Sequence, residues 1–260
     1  SVKQLAYLPW NTHEFEGALE QLLVKKTGRA PVVVLNDMVE QHYRKEYLLK
    51  VGFLERKSVL KRRLGLAFPS YPIRAALKLS GKKQRVDDKP GTPYLFAATP
   101  TSAAFLKTFN VVRSSGAPIV GLYLLPAEGA EMVRALSVKL SKKRALKPAW
   151  TIFVGQHHNG GLRQIVTRHG ELALTRLTPI VDTDIEPELW AKELSAELSA
   201  TMSYLTRFGY NETDGLQIVI VSAENTKDSL YNAVKIESDL TIATPEELSK
   251  ILDMPTRFQE

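Results

Sequence analysis

The chain has 260 residues, enough for two domains of about 130. Its 44% hydrophobic and 24% charged residues exclude a collagenous, low-complexity or wholly disordered polymer. It has no cysteine, which excludes a disulfide scaffold, a thiol nucleophile, a zinc finger and a cysteine-ligated cluster. The longest apolar runs, Pro31–Leu35 and Pro118–Leu125, fall far short of the ~20 residues that span a bilayer. The start, Ser1–Trp10, lacks the layout of a signal peptide, and a first residue other than Met suits a trimmed chain. A net charge of +7 points to an anionic partner: nucleic acid, an acidic protein or an anionic membrane leaflet.

In chain order, Val2–Leu8 is expected to be a strand. Asn11 and Glu14 have near capping-box spacing before the stripe Phe15, Ala18, Leu19, Leu22 and Leu23, and Gly28 stands where a helix ends. Ala30–Leu35 is an all-apolar, β-branched run, as in a strand covered on both faces. Val39–Leu49 and Arg56–Leu66 have helical spacing, Ile73–Leu79 suits a strand, and polar Ser80–Pro93 suits a loop. A strand at Tyr94–Ala98, a helix from Thr99 or Thr101 to about Arg113, a strand at Ile119–Leu124 and a helix at Ala127–Leu140 complete the first half.

Ser141–Pro148 is basic and ends in proline, the best linker, so domains are expected over 1–145 and 146–260. Beyond it come strands at Trp150–Gly155, Leu162–Thr167 and Leu172–Leu177, with His169-Gly170 as the second turn. The helix Pro187–Phe208 follows, with Asp184, Glu186 and Glu188 at its positive end and Gly209 after it. Then come a strand at Leu216–Val221, a helix at Lys227–Val234, a strand at Leu240–Ala243 and a helix at Pro245–Leu252. The second half is thus β-β-β-α-β-α-β-α. The first half reads as a related unit without two opening strands and with an insert. The fold expected is α/β, two-domain and actin-like (ribonuclease-H-like), its first domain truncated or divergent.

Three segments carry a family likeness: Gly116–Leu136, Trp150–Leu177, and the helix Leu189–Phe208 with the strand Leu216–Asn225. Together they resemble the actin-like cytoplasmic proteins of type IV pilus and type II secretion machines, the PilM and GspL family. The likeness covers roughly residues 90–250 well and the first 90 poorly. Arg176 fills the place where the family's third strand often ends in arginine. The resemblance implies a non-catalytic cytoplasmic scaffold, peripheral to or tethered at the inner membrane. Its implied partners are the assembly ATPase and a bitopic inner-membrane platform protein. A membrane helix following Glu260 would serve instead of the latter.

Actin-like ATPases hold nucleotide through a Gly-rich first hairpin, an acidic residue and Gly turn on a second hairpin, and a Gly-rich adenosine turn. The first hairpin is absent from this sequence. Val154–Gln156, where the aspartate is expected, has no acid. Asn159, Gly160 and Gly161 keep a degenerate phosphate turn, and Ser222-Ala223-Glu224-Asn225 has no glycine for adenosine. Without an acidic anchor Mg²⁺ lacks a hard oxygen ligand here, so ATP with Mg²⁺ is disfavoured and no enzyme is expected. This suits the GspL branch better than the PilM branch.

His157 and His158, adjacent on a strand, point to opposite faces, so with His169 they read as turn histidines rather than metal ligands. Asn36-Asp37 follows a buried strand, with Glu40 and His42 near. A catalytic pair is one reading there, and Asp37 as a helix cap is the preferred one. No nucleophile elbow, dinucleotide or Walker motif occurs. The basic clusters Arg56–Arg63, Lys78–Lys89 and Lys139–Lys147 have few aromatics, against single-strand nucleic-acid binding. Arg56, Lys57, Lys61, Arg62 and Arg63 are the candidate partner-binding surface. An anionic membrane surface is a further candidate partner. Two alternatives stand beside the scaffold: a nucleotide-binding PilM-type protein, and a nucleic-acid-associated ribonuclease-H-like protein.

Overall fold

The computed structural model describes residues 6–26, 30–81, 84–86, 89–142, 147–157, 161–179 and 186–254. The chain divides into two compact units, one ending at Leu124 and one beginning at Leu125. The expected boundary at 145/146 is therefore not where the units part. The helix Leu125–Leu140 (α4) belongs to the second unit, because Met132, Leu136 and Leu140 pack into that unit's core.

In the second unit, strands β7 (Trp150–His157), β8 (Gly161–Arg168), β9 (Glu171–Pro179), β10 (Leu216–Val221) and β11 (Asp239–Ala243) form one sheet. Its order is β11-β10-β7-β8-β9. β10 runs parallel to β7 and β11, whereas β8 is antiparallel to both β7 and β9. Strand alternation sends side chains to two covered faces. Trp150, Ile152, Val154, Leu162, Val166, Ile218 and Ile220 meet α5 (Pro187–Leu205) and α6 (Lys227–Ala233). Phe153, Val219, Val221 and Ala243 meet α4 and α7 (Pro245–Ile251). Both faces are buried, which is why these strands read as apolar runs. The β7–β8–β9 meander, the long helix and the later strands all fall within a few residues of expectation. The turn His169-Gly170 takes positive φ at both residues. The last expected turn of α5, Thr206–Phe208, tightens to a 3₁₀ turn before left-handed Gly209.

In the first unit, β1 (Val32–Asn36) and β6 (Ile119–Leu124) pair in parallel. Leu19 and Leu23 of the first helical segment, α1 (Phe15–Gln21) with its π-helical extension, and Val111 and Val112 of α3 (Ala103–Ser114) pack with Val32 and Ile119. Between β1 and α3 lies an antiparallel sheet of β2 (His42–Leu49), β3 (Ile73–Lys78), β4 (Gln84–Val86) and β5 (Lys89–Thr99). One helix, α2 (Phe53–Ala67), lies on it through Leu60, Leu64 and Ala67, over Leu48, Tyr94, Phe96 and Ala98.

Four expectations for this half are corrected. Val39–Leu49 is not a helix: residues 42–49 pair with 91–98 of β5, whose buried centre needs a partner on each edge. Ser80–Pro93 is not all loop, because β4 and the start of β5 form a hairpin there. Gly91 makes this close approach possible: a Cβ on it would lie 2.8 Å from Val86 Cγ2 and 3.1 Å from the Gln84 carbonyl oxygen. The Asn11–Glu14 capping box does not form, since Glu14 precedes α1 without a side-chain cap. Ser102, rather than Thr99 or Thr101, caps α3, its hydroxyl accepting from the Phe105 N–H at 3.0 Å. Of the expected first strand Val2–Leu8, residues 6–8 are irregular, and the remainder, like Gly28, lies outside the described residues.

Candidate functional site

The hairpin expected to carry a degenerate phosphate turn is β7–β8. Val154, Gly155 and Gln156 pair with Gln164, Arg163 and Leu162, and Val154 is buried in the apolar core. Residues 154–156 include no carboxylate. Gly161 opens β8 opposite His157, whereas His158, Asn159 and Gly160 lie outside the described residues. His169 sits in the β8–β9 turn, its N–H donating to the Ala149 carbonyl at 2.7 Å. No group of three or more metal-ligating side chains occurs among the described residues.

The segment expected to form an adenosine turn, Ser222–Asn225, has no glycine. Ser222 and Ala223 leave β10 and enter a 3₁₀ turn, Glu224–Thr226, that runs into α6. There Lys227 pairs with Glu224 at 2.8 Å and with Glu247 of α7 at 2.7 Å. These bonds hold the Lys227 ammonium above its usual pKa and, together with the Thr244 N–H, the Glu247 carboxyl below its own. Glu247 also closes a capping box with Thr244. Ion pairs and a helix start therefore occupy the segment expected to form an adenosine turn. The Glu224 half was legible as a missing glycine, but the link from Lys227 to Glu247 needed the fold.

Arg176 is a strut. Its guanidinium donates to Thr201 Oγ1 and to Glu197 Oε2, each at 3.0 Å, and Thr178 donates to the same carboxylate at 2.9 Å. Thr201 in turn donates to the buried Gln164 side chain at 2.7 Å. This network ties β8 and β9 to α5. Sequence reasoning placed the arginine but not its partners.

At β1, the preferred role of Asp37 as a helix cap is corrected, since a strand follows rather than a helix. Asn36 turns the chain instead: its Oδ1 accepts from the Met38 N–H at 2.9 Å, and its carbonyl accepts from Gln41 Nε2 at 3.0 Å. His42 faces α2's side of its sheet and hydrogen-bonds Tyr71 Oη at 2.6 Å. Glu40 uses its carbonyl, which accepts from Thr99. Asn36, Glu40 and His42 therefore make their hydrogen bonds to separate partners.

Sequence reasoning missed a cavity of about 700 Å³ lined by Tyr210, Glu212, Asp214, Glu237 and Asp239. Burial first, and then Glu212, Asp214 and Glu237, push the Tyr210 hydroxyl above its usual pKa. The cavity lies at the starts of β7, β10 and β11, whereas α/β sheets bind ligands beyond the carboxyl ends of their strands. Asp214 accepts from Trp150 Nε1 at 3.2 Å, a packing role.

The basic residues proposed from sequence lie on one helix, α2. Arg56, Lys57, Lys61, Arg62 and Arg63 are all exposed on α2, and no α2 residue is fully buried. Among the described residues none of the five makes a salt bridge. Beside α2 a cavity of about 480 Å³ has Leu48, Leu60 and Tyr94 in its lining, together with the cations Lys50, Arg56 and Lys78.

No protein-family model and no curated protein matches this chain. Solved structures do. A chain of a PilM-PilN type IV pilus biogenesis complex is 12% identical, with 95% of this chain and 80% of that chain covered at a TM-score of 0.57. A Bacteroides thetaiotaomicron protein described as having an actin-like ATPase fold and unknown function is 9% identical, with coverages of 93% and 82% and a TM-score of 0.44. The ethanolamine utilization protein EutJ from Carboxydothermus hydrogenoformans is 10% identical, with coverages of 91% and 97% and a TM-score of 0.34. The chain shares the α/β fold of the pilus-complex chain.

Proposed function

We propose that this chain is a non-catalytic scaffold of a type IV pilus or type II secretion machine, on the cytoplasmic side of the inner membrane. It would link the assembly ATPase to a bitopic platform protein. The observation that supports this is the match to the PilM-PilN chain over nearly the whole length, combined with the departures at the nucleotide positions. Residues 154–156 carry no acid, and the segment expected to hold adenosine has no glycine and runs into the ion pairs of Lys227 with Glu224 and Glu247. Such a body works by binding, and no helix among the described residues is long and apolar enough to cross a membrane.

Two measurements test the reading. Co-purification with the platform protein and the assembly ATPase of the same cell should retain both, and loss of both overturns the scaffold role. A thermal melt with Mg-ATP should not move. A ligand at ~100 Kd adds about 2.7 kcal/mol, which shifts a chain of this size by several degrees. A clear shift would replace this reading with a nucleotide-binding PilM-type protein.

A further inference from the structure

The charge of the chain is concentrated in one module. Residues 42–99, the antiparallel sheet with α2, contain fourteen Lys and Arg against four Asp and Glu. Their net +10 exceeds the +7 of the whole chain, which leaves −3 on everything else. At the amino end of α2, two adjacent large apolar side chains stand in solvent: Phe53 is 82% and Leu54 90% exposed. Such exposure serves no core, since α2 packs through Leu60, Leu64 and Ala67. The exposed cations Lys50, Arg56 and Lys57 flank the pair in sequence, and the Arg56 guanidinium lies 5.8 Å from the Phe53 ring centre.

We propose that this end of the module, Phe53 and Leu54 with the cations Lys50, Arg56, Lys57 and Lys78, is a contact site for an anionic lipid bilayer. The two apolar side chains enter the headgroup region while the cations meet lipid phosphates. Apolar residues at a rim of lysine and arginine are the composition of an interfacial anchor. Each cation near an anionic surface contributes about 1 kcal/mol, roughly a fivefold change in binding. The neighbouring cavity, lined by Lys50, Arg56 and Lys78, has room for a headgroup phosphate. A bilayer fits better than an acidic peptide: a peptide groove recesses its apolar floor, and neither Phe53 nor Leu54 lines the cavity. It also fits better than nucleic acid, because Leu54 has no ring on which a base could stack.

The test is sedimentation of the whole chain with vesicles of phosphatidylcholine, with and without phosphatidylglycerol. Binding is expected only to the anionic vesicles, weakening as salt rises. The double variant Phe53→Ser/Leu54→Ser should bind about tenfold more weakly or less while melting like the parent, because neither side chain is buried. Arg56→Ala/Lys57→Ala should lose roughly fivefold per charge. A Leu54→Trp variant should show blue-shifted emission on anionic vesicles. Four results overturn the proposal: no binding to anionic vesicles at low salt, equal binding to neutral ones, serine variants that bind like the parent, or tryptophan emission that does not move. Displacement of the vesicles by polyglutamate or duplex DNA at equal charge would also overturn it, in favour of a general polyanion surface. Vesicle binding requires neither the platform protein nor the assembly ATPase, so this result is separable from the scaffold reading.

Discussion

The five-stranded sheet of the second unit and the antiparallel sheet of the first are built on opposite terms. The former is covered on both faces, so Trp150, Ile152, Leu198 and Ile218 are wholly buried. The latter is covered by one helix that buries none of its own residues completely, and the module they form carries a net charge of +10 against +7 for the whole chain. Burial on both faces gives stability and leaves little surface with which to bind. In the antiparallel sheet the central strand β5 is buried but its flanking strands and α2 are not, which leaves cations, an apolar tip and a cavity open to a partner.

The difference is measurable. Leu198→Ala, at the centre of the doubly covered core, should cost about 2–5 kcal/mol in urea unfolding, whereas half-buried Leu60→Ala on α2 should cost clearly less. Equal losses would break the contrast. Gly91→Val should cost about 1–3 kcal/mol, because its side chain meets Val86 and the Gln84 backbone. If it is neutral, the β4–β5 hairpin is looser than its register indicates. Thr201→Val removes the hydroxyl between Arg176 and Gln164 and should cost about 1–2 kcal/mol, leaving the buried Gln164 oxygen without its donor.

The smallest effect concerns pH. The Glu247 and Asp253 carboxyls are held below their usual pKa, by Lys227 and Lys139 respectively as the leading cause. A depressed carboxyl contributes stability that is present above its unfolded pKa and lost as pH falls through its folded one. Amide exchange in α7 should therefore rise on acidification below the ordinary carboxylate range, and Lys227→Met should weaken that pH response. Both carboxylates are exposed, so salt should blunt the effect. An unchanged response in Lys227→Met would remove the ion pair from the account of α7.

Much of the second unit was legible because two-sided burial leaves uninterrupted apolar strands and a long helical stripe ending at a glycine. Its candidate site was legible only as a set of missing residues. That Lys227 pairs with Glu247 depends on α6 meeting α7, which no spacing encodes. The first unit was harder to read for the converse reason. His42–Leu49 has few β-branched residues, and its tyrosines and leucines also fit a helical period. The paired edge of β5 decided for a strand. Pro90, Gly91 and Pro93 are turn residues by local chemistry, yet they lie in β5 because β2 and β4 supply its partners there.

The sequence by itself determined the α/β class, the second unit's order of elements and the exposure of the basic residues on α2. These depend on local periodicity and on the cost of burying charge. Tertiary structure alone decided the register of the inserted sheet, the position of α4 in the second unit, and the exposure of Phe53 and Leu54 beside the cations. Those outcomes depend on which distant segments compete for the same edge or core face, and that competition is settled only when the chain packs.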